Sequence, residues 1–292
     1  IKYLEYASTQ PGVDISVFYY LGLAYHNNYR FSDAIKQYTI YKEKAKSKLV
    51  NEFDVDKQIG ICNNAKLLLS VVSDLYVLQK TEVAFKDFFR SYDVNDNNGQ
   101  ILVKPEELKT PLDKKKEKTS LIYFSKTRKE AFYSSYGKDG KTGKDLFRAK
   151  KMTNGKWSKP ANLGNNINTN YDEDFPVLSP DGHTLYYSSN GKNTIGGFDI
   201  FSSAMKYDST WSTGENLNYP VNTPFDDIMF VSDTADQYAW FSSNRSSHEG
   251  QITVYRVRID KKPDLTETLV LDEGQDAGSS GENSYTESIA IL

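Results

Sequence analysis

Residues 184–201, TLYYSSNGKNTIGGFDIF, set a serine pair in an aromatic run, then a glycine-rich turn, then an aspartate between aromatic residues. A stretch of this kind could carry a nucleophilic hydroxyl or cradle a phosphate. A serine nucleophile needs a base and, in the hydrolase elbow, the spacing G-x-S-x-G; that spacing is absent. A phosphate loop of the Walker type needs G-x4-G-K-[ST]. The nearest approach, GKDGKTGKD at 137–145, lacks it and reads as a hairpin loop.

Metal chemistry has few candidates. His26, His183 and His248 show no ligand spacing for zinc. Asp172, Asp174, Asp226 and Asp227 stand at equivalent strand entrances and could face a cation, but acids in such places commonly cap turns by accepting backbone N–H groups. DVNDNNGQI at 93–101 is similar to a calcium loop, yet Gly99 falls at position seven instead of six, and Lys104 stands where a bidentate Glu is required. It reads as a turn. Cys62 is the single cysteine, which excludes an internal disulfide and a cysteine metal cluster. No metal, cofactor or catalytic residue is assigned.

Bulk properties narrow the classes further. The 292 residues carry a net charge of −3, so there is no electrostatic footprint for nucleic acid. Hydrophobic residues make up 38%, enough for a packed core, and no apolar run approaches the length that spans a bilayer. Twenty-one Tyr and 15 Phe favour a β-rich region. The chain opens at Ile1 without Met or signal peptide, so sequence before it is expected.

The elements that would position these residues fall into two rhythms. In 1–72, apolar residues recur at three and four, predicting helices over Ile15–Tyr25, Arg30–Ala45 with Ser32 as N-cap, and about Asp54–Ser70. Phe18, Leu21, Gly22 and Tyr25, followed by Ala34 and Tyr38, have the order of a tetratricopeptide repeat, in which small residues let two helices approach and aromatics fill the groove between them. Phe18, Tyr25 and Tyr38 are therefore both core candidates and candidates for a partner groove.

From 74 to 260 the pattern is short alternating strands. Tyr187-Ser188-Ser189 recurs as Tyr133-Ser134-Ser135 and as Phe241-Ser242-Ser243, each step 54 residues. The same step carries Asp145-Leu146-Phe147 onto Asp199-Ile200-Phe201 and Thr253-Val254-Tyr255, Trp157 onto Trp211, and Asn168 onto Asn222. The serines thus belong to a repeated frame. Each unit reads as four strands, at Phe175–Leu178, Thr184–Ser188, Phe198–Ala204 and near Thr210–Ser212, with SPDG at 179–182 as a tight turn. A fainter unit is read at 86–113, giving an expected β-propeller of about four blades. Residues 261–292, acidic and rich in Gly and Ser, read as a linker.

The helical repeat, KQIGICNNAKLLL at 57–69, DEDFPVLSPDGHTLYYSSNG and GGFDIF together resemble Bacteroidota periplasmic proteins that join tetratricopeptide repeats to a TolB-type, WD-like propeller. Some of these take part in type IX secretion and gliding and carry an OmpA-like domain, which this chain does not reach. The resemblance implies α and β parts in separate domains, a periplasmic or outer-membrane-associated location, and a non-catalytic scaffold that binds other envelope proteins. Any outer-membrane attachment would come through sequence outside this stretch. A second reading, motivated by the tyrosine-rich strands, is an accessory propeller that binds a glycan or other ligand for a catalytic domain lying elsewhere.

Overall fold

Helices α1 (Lys2–Ser8), α2 (Ser16–Asn27), α3 (Phe31–Lys44), α4 (Ser47–Glu52) and α5 (Val55–Leu68) open the chain. A computed structural model describes residues 1–70, 75–92, 99–116, 120–137, 140–233 and 237–259. The α2–α3 approach depends on Gly22: a Cβ there would lie 2.7 Å from the Tyr38 ring, which is fully buried. Helix α3 begins one residue before the expected cap, at Phe31, with no side-chain cap; Arg30 instead pairs with Asp33 at 2.8 Å.

The β part contains β1 (Leu75–Ala84), β2 (Gln100–Val103), β3 (Leu121–Phe124), β4 (Glu130–Ser135), β5 (Asp145–Lys150), β6 (Ala161–Asn162) and β7 (Glu173–Leu178). It continues with β8 (Thr184–Ser189), β9 (Asp199–Ala204), β10 (Glu215–Asn216), β11 (Asp227–Ser232), β12 (Tyr238–Ser243) and β13 (Gln251–Ile259). These form three antiparallel sheets, ordered β2-β3-β4-β5-β6, β10-β9-β8-β7 and β1-β13-β12-β11. Register repeats with the sequence: Tyr133 faces Phe147, Tyr187 faces Phe201 and Phe241 faces Tyr255. In each pair the rings stack, with centroids 6.2, 5.7 and 5.2 Å apart.

The four-blade propeller is not what forms. Among the described residues there are three sheets, and no propeller or closed barrel is built from them. Among its described residues, the segment read as a fourth unit holds the short strand β2 and three helical pieces: Phe85–Ser91 and Glu106–Leu108 are 3-10 helices and Pro111–Lys116 is α6. In Phe85–Ser91 the turn sends Phe88 into the main core, which it shares with residues of all three sheets. The tryptophan segments are also not full strands. Trp157 and Trp211 make isolated bridges to Lys151 and Met205, while the fourth strands are the two-residue β6 and β10 further on. β1 supplies the outer strand of the last sheet, pairing with β13 from Leu75 to Ala84.

Nor are α and β parts separate. Ile1–Asp260 is one compact unit. The β8–β9 loop, NTIGG at 193–197, inserts Ile195 into the helical core beside Phe18, Leu21 and Phe31, where it is fully buried. The loop is held in shape by Asp199, whose carboxylate accepts the Ile195 N–H at 2.8 Å, and by the Thr194 hydroxyl, which donates to the Gly191 carbonyl at 3.0 Å. The linker reading of 261–292 and the calcium-like residues 93–98 lie outside the described residues.

Candidate binding surfaces at the sheet junction

The serine pair of each sheet has two different tasks. The second serine bonds a buried carboxylate: Ser135 Oγ donates to Asp113 and Ser189 Oγ to Glu173, both at 2.8 Å, and Ser243 bonds Asp227. Each carboxylate also accepts a backbone N–H from a threonine, Thr110, Thr169 or Thr223. Burial pushes the Glu173 carboxyl up to about 7 against these bonds. Burial likewise raises Asp227, although the Arg245 guanidinium bonds it at 2.5 Å. At Asp113 burial is outweighed by donors from Thr110, Ser135 and Tyr136 and by the Lys104 ammonium, and its carboxyl is held below the usual range.

The first serine joins neighbours. Ser134 Oγ in β4 donates to Asp174 in β7 at 2.5 Å. Ser188 Oγ in β8 accepts the Met229 N–H of β11 at 3.2 Å, and Ser242 Oγ in β12 meets the Tyr92 hydroxyl at 2.8 Å. These hydroxyls sit beside carboxylates and backbone and are occupied by the frame.

The four acids considered as cation ligands are spent in the same way. Asp172 Oδ1 accepts the Lys144 N–H at 2.8 Å, and one period later Asp226 Oδ1 accepts the Phe198 N–H at 3.0 Å. Their own N–H groups donate to Asn190 and Asn244. Gly143 and Gly197 make this approach geometrically feasible, since a Cβ would fall 2.9 and 2.1 Å from those carboxylates. Asp174 accepts Lys144 Nζ at 2.6 Å, and Asp227 faces Arg245. Among the described residues no cluster of three or more His, Cys, Asp or Glu side chains is placed to hold a metal ion.

Phe18, Tyr25 and Tyr38 do not line an open groove. All three are buried in the helical core, and the Tyr25 hydroxyl donates to Glu5 at 2.6 Å. Of the two readings of these three residues, their burial matches the core one. Cys62 is core as well, and burial pushes its thiol up to about 12. His183 is exposed in its turn, and His248 pairs with Glu82 at 3.0 Å on the surface. His26 is buried, with Nε2 2.7 Å from the Ile195 carbonyl.

Two concave surfaces stand out among the described residues. A cavity of about 400 Å³ lies where the strands meet, lined by Tyr136, Lys144, Asp174, Phe198 and Asp226 among others. Its two sides differ where the repeat breaks: Lys144 and Asp174 form a buried ion pair, whereas the positions 54 residues on, Phe198 and Ile228, are apolar. That departure is visible in the sequence as two coupled mismatches in an otherwise matching frame. The second surface is a cleft of about 730 Å³ between Phe89–Arg90, β2 and the β3–β4 turn at 125–128. Sequence reasoning missed it because β2 lies outside the repeat. No family model and no curated protein matches the chain.

Proposed function

We propose that the chain is a non-catalytic body that binds partner proteins. The observation that carries this reading is the engagement of the repeated serines and acids with one another and with backbone, which leaves shape and surface charge as what the fold offers. Ile195 pins the helices to the sheets, so surfaces on both parts keep a fixed relation. Placement in the cell envelope, in an outer-membrane or secretion assembly, rests only on the residue-level resemblance carried by the helical repeat, 57–69 and the motifs within 172–201. Affinity purification of the intact chain from its native envelope tests the reading: defined partners are expected, and recovery of the chain alone in every detergent and salt condition rejects it.

The cavity of about 400 Å³, with Tyr136 and Phe198 beside Asp174 and Asp226, favours a second reading as a small polar ligand site, for a glycan in particular. A glycan array with no bound member removes that reading and leaves the first untouched.

A further inference from the structure

The free edge of β2 is built to accept another strand. β2 pairs with β3 on one side and has no strand on the other among the described residues. The Lys104 N–H donates to the Ser120 carbonyl at 2.8 Å, and Leu102 and Gln100 stand opposite Ile122 and Phe124. By antiparallel alternation, Gln100 and Leu102 therefore turn their backbone groups to β3, and Ile101 and Val103 turn theirs outward. An outward row of this kind is a template for pairing unless it is covered or blunted. Leu102 and Val103 are 41% and 53% exposed, which is high for apolar residues in a strand.

The charge beside that edge has one sign. The cleft along β2 is lined by Arg90, Lys126 and Arg128, and no Asp or Glu lines it among the described residues. Arg90 is 71% exposed and only loosely paired with Asp87 at 3.8 Å, which lies outside the cleft. Lys126 and Arg128 project from the β3–β4 turn, where Arg128 takes a left-handed φ of 54° and its N–H donates to the Ser125 carbonyl at 2.7 Å. The turn thus fixes two cations at the end of β2, in a chain whose net charge is negative.

We propose that the β2 edge binds an acidic, extended segment of a partner protein by strand addition, with Arg90, Lys126 and Arg128 selecting the negative charge. Main-chain bonds to Ile101 and Val103 give affinity, Leu102 and Val103 take alternate apolar side chains, and the cations set partner choice. This rests on the partner-binding reading above and names its ligand.

The test uses the full chain and a fluorescein-labelled peptide of alternating valine and glutamate, read by anisotropy, with a valine–lysine peptide and a single-stranded oligothymidylate as comparators. The acidic peptide is expected to bind, and to bind more weakly at high salt. Reversing Lys126 and Arg128 to Glu is expected to weaken it by about tenfold or more. Val103→Pro removes an outward N–H while keeping the β3 ladder, as proline is tolerated on an edge, and is expected to abolish binding with thermal melting unchanged. Equal binding of the lysine peptide, preference for the oligothymidylate, no binding by the native chain, or full binding by Val103→Pro would each overturn the proposal. If the charge-reversed chain still recovers its envelope partners while losing the peptide, the general reading stands and this edge is not the partner's site.

Discussion

His26 Nε2 lies 2.7 Å from the carbonyl oxygen of Ile195, and 169 residues of chain separate the two. The contact fixes the tautomer: the carbonyl accepts, so Nε2 carries the proton and Nδ1 is bare. Nδ1 is buried without a partner. The ring also meets Phe31 edge-on at 5.5 Å. One face of α2 is thereby tied to the loop that β8 and β9 project into the helical core, and it is burial of the ring, not this bond, that disfavours the charged imidazolium.

The first prediction concerns pH. Burial lowers the His26 pKa, with the Ile195 bond opposing. The unfolded chain therefore takes up a proton at a pH where the folded chain does not, and stability falls as pH drops below the ordinary histidine value of about 6.5. Among the described residues, the charged group lining the cavity beside His26 is Asp226, whose carboxylate is engaged by Phe198 and Asn244. In urea titrations the native chain should lose stability relative to His26→Gln as the buffer is taken from neutral to below that value. Parallel curves for the two would contradict the assignment.

Glu173 gives the opposite slope. Its carboxyl, ordinarily near 4.5, is pushed to about 7 by burial. The folded state holds the proton longer than the unfolded one, so the stability this group contributes is full below about 4.5 and lost as pH rises to about 7. The interval corresponds to a ceiling of roughly 3 kcal/mol. Glu173→Gln keeps an oxygen for the Thr169 N–H and cannot ionise. The variant should gain on the native chain across that window, measured by urea midpoints; a difference independent of pH would show that Glu173 is ionised throughout.

Much of this frame was legible in the sequence and some was not, for identifiable reasons. The 54-residue step located β4, β8 and β12 because their serines and aromatics recur at one register, and Gly22 with Tyr38 announced the α2–α3 contact. The extra sheet failed to appear although KDFFR at 86–90 has the same polar and apolar order as KDLFR at 144–148: the first is a 3-10 turn that buries Phe88, the second lies in β5 and buries Leu146, so five residues of pattern do not separate the two. Trp157 and Trp211 drew attention from the asparagines that actually form β6 and β10. The Ile195 insertion was illegible because a lone isoleucine between Thr194 and Gly196 has no periodicity to betray its partner. Asp172 and Asp226 accept backbone N–H groups from the next strand entrance, while Asp174 and Asp227 also face Lys144 and Arg245, partners far away in sequence that no local spacing announces.

Gly22→Ala tests the helix contact. A Cβ there would lie 2.7 and 2.8 Å from two atoms of the Tyr38 ring, and that ring is fully buried and cannot swing aside. Alanine favours helix by up to about 1 kcal/mol over glycine, while overpacking of this kind costs roughly 1–3 kcal/mol. The variant should therefore melt lower than the native chain by calorimetry, despite its better helix former. A higher melting temperature would mean that α2 and α3 separate easily, and that the contact is not what holds them.

The Lys144–Asp174 pair tests whether the repeat is a physical equivalence. Both side chains are nearly buried and meet at 2.6 Å, so removing one leaves an uncompensated charge and costs roughly 3–5 kcal/mol. One period on, the same two places hold Phe198 and Ile228, and there Ser188 accepts the Met229 N–H, whereas the equivalent Phe175 N–H donates to Asp174 Oδ1, which Ser134 Oγ also bonds. Replacing both residues by their counterparts, Lys144→Phe with Asp174→Ile, supplies an apolar contact and leaves the Phe175 N–H for Ser134 Oγ to accept. In a double-mutant cycle the pair should therefore be far more stable than the sum of the single changes predicts, with a coupling of roughly 1–3 kcal/mol. Additive losses would mean that the two sheet junctions differ in backbone as well as in side chains, and that the ion pair is fixed by a geometry the repeat does not share.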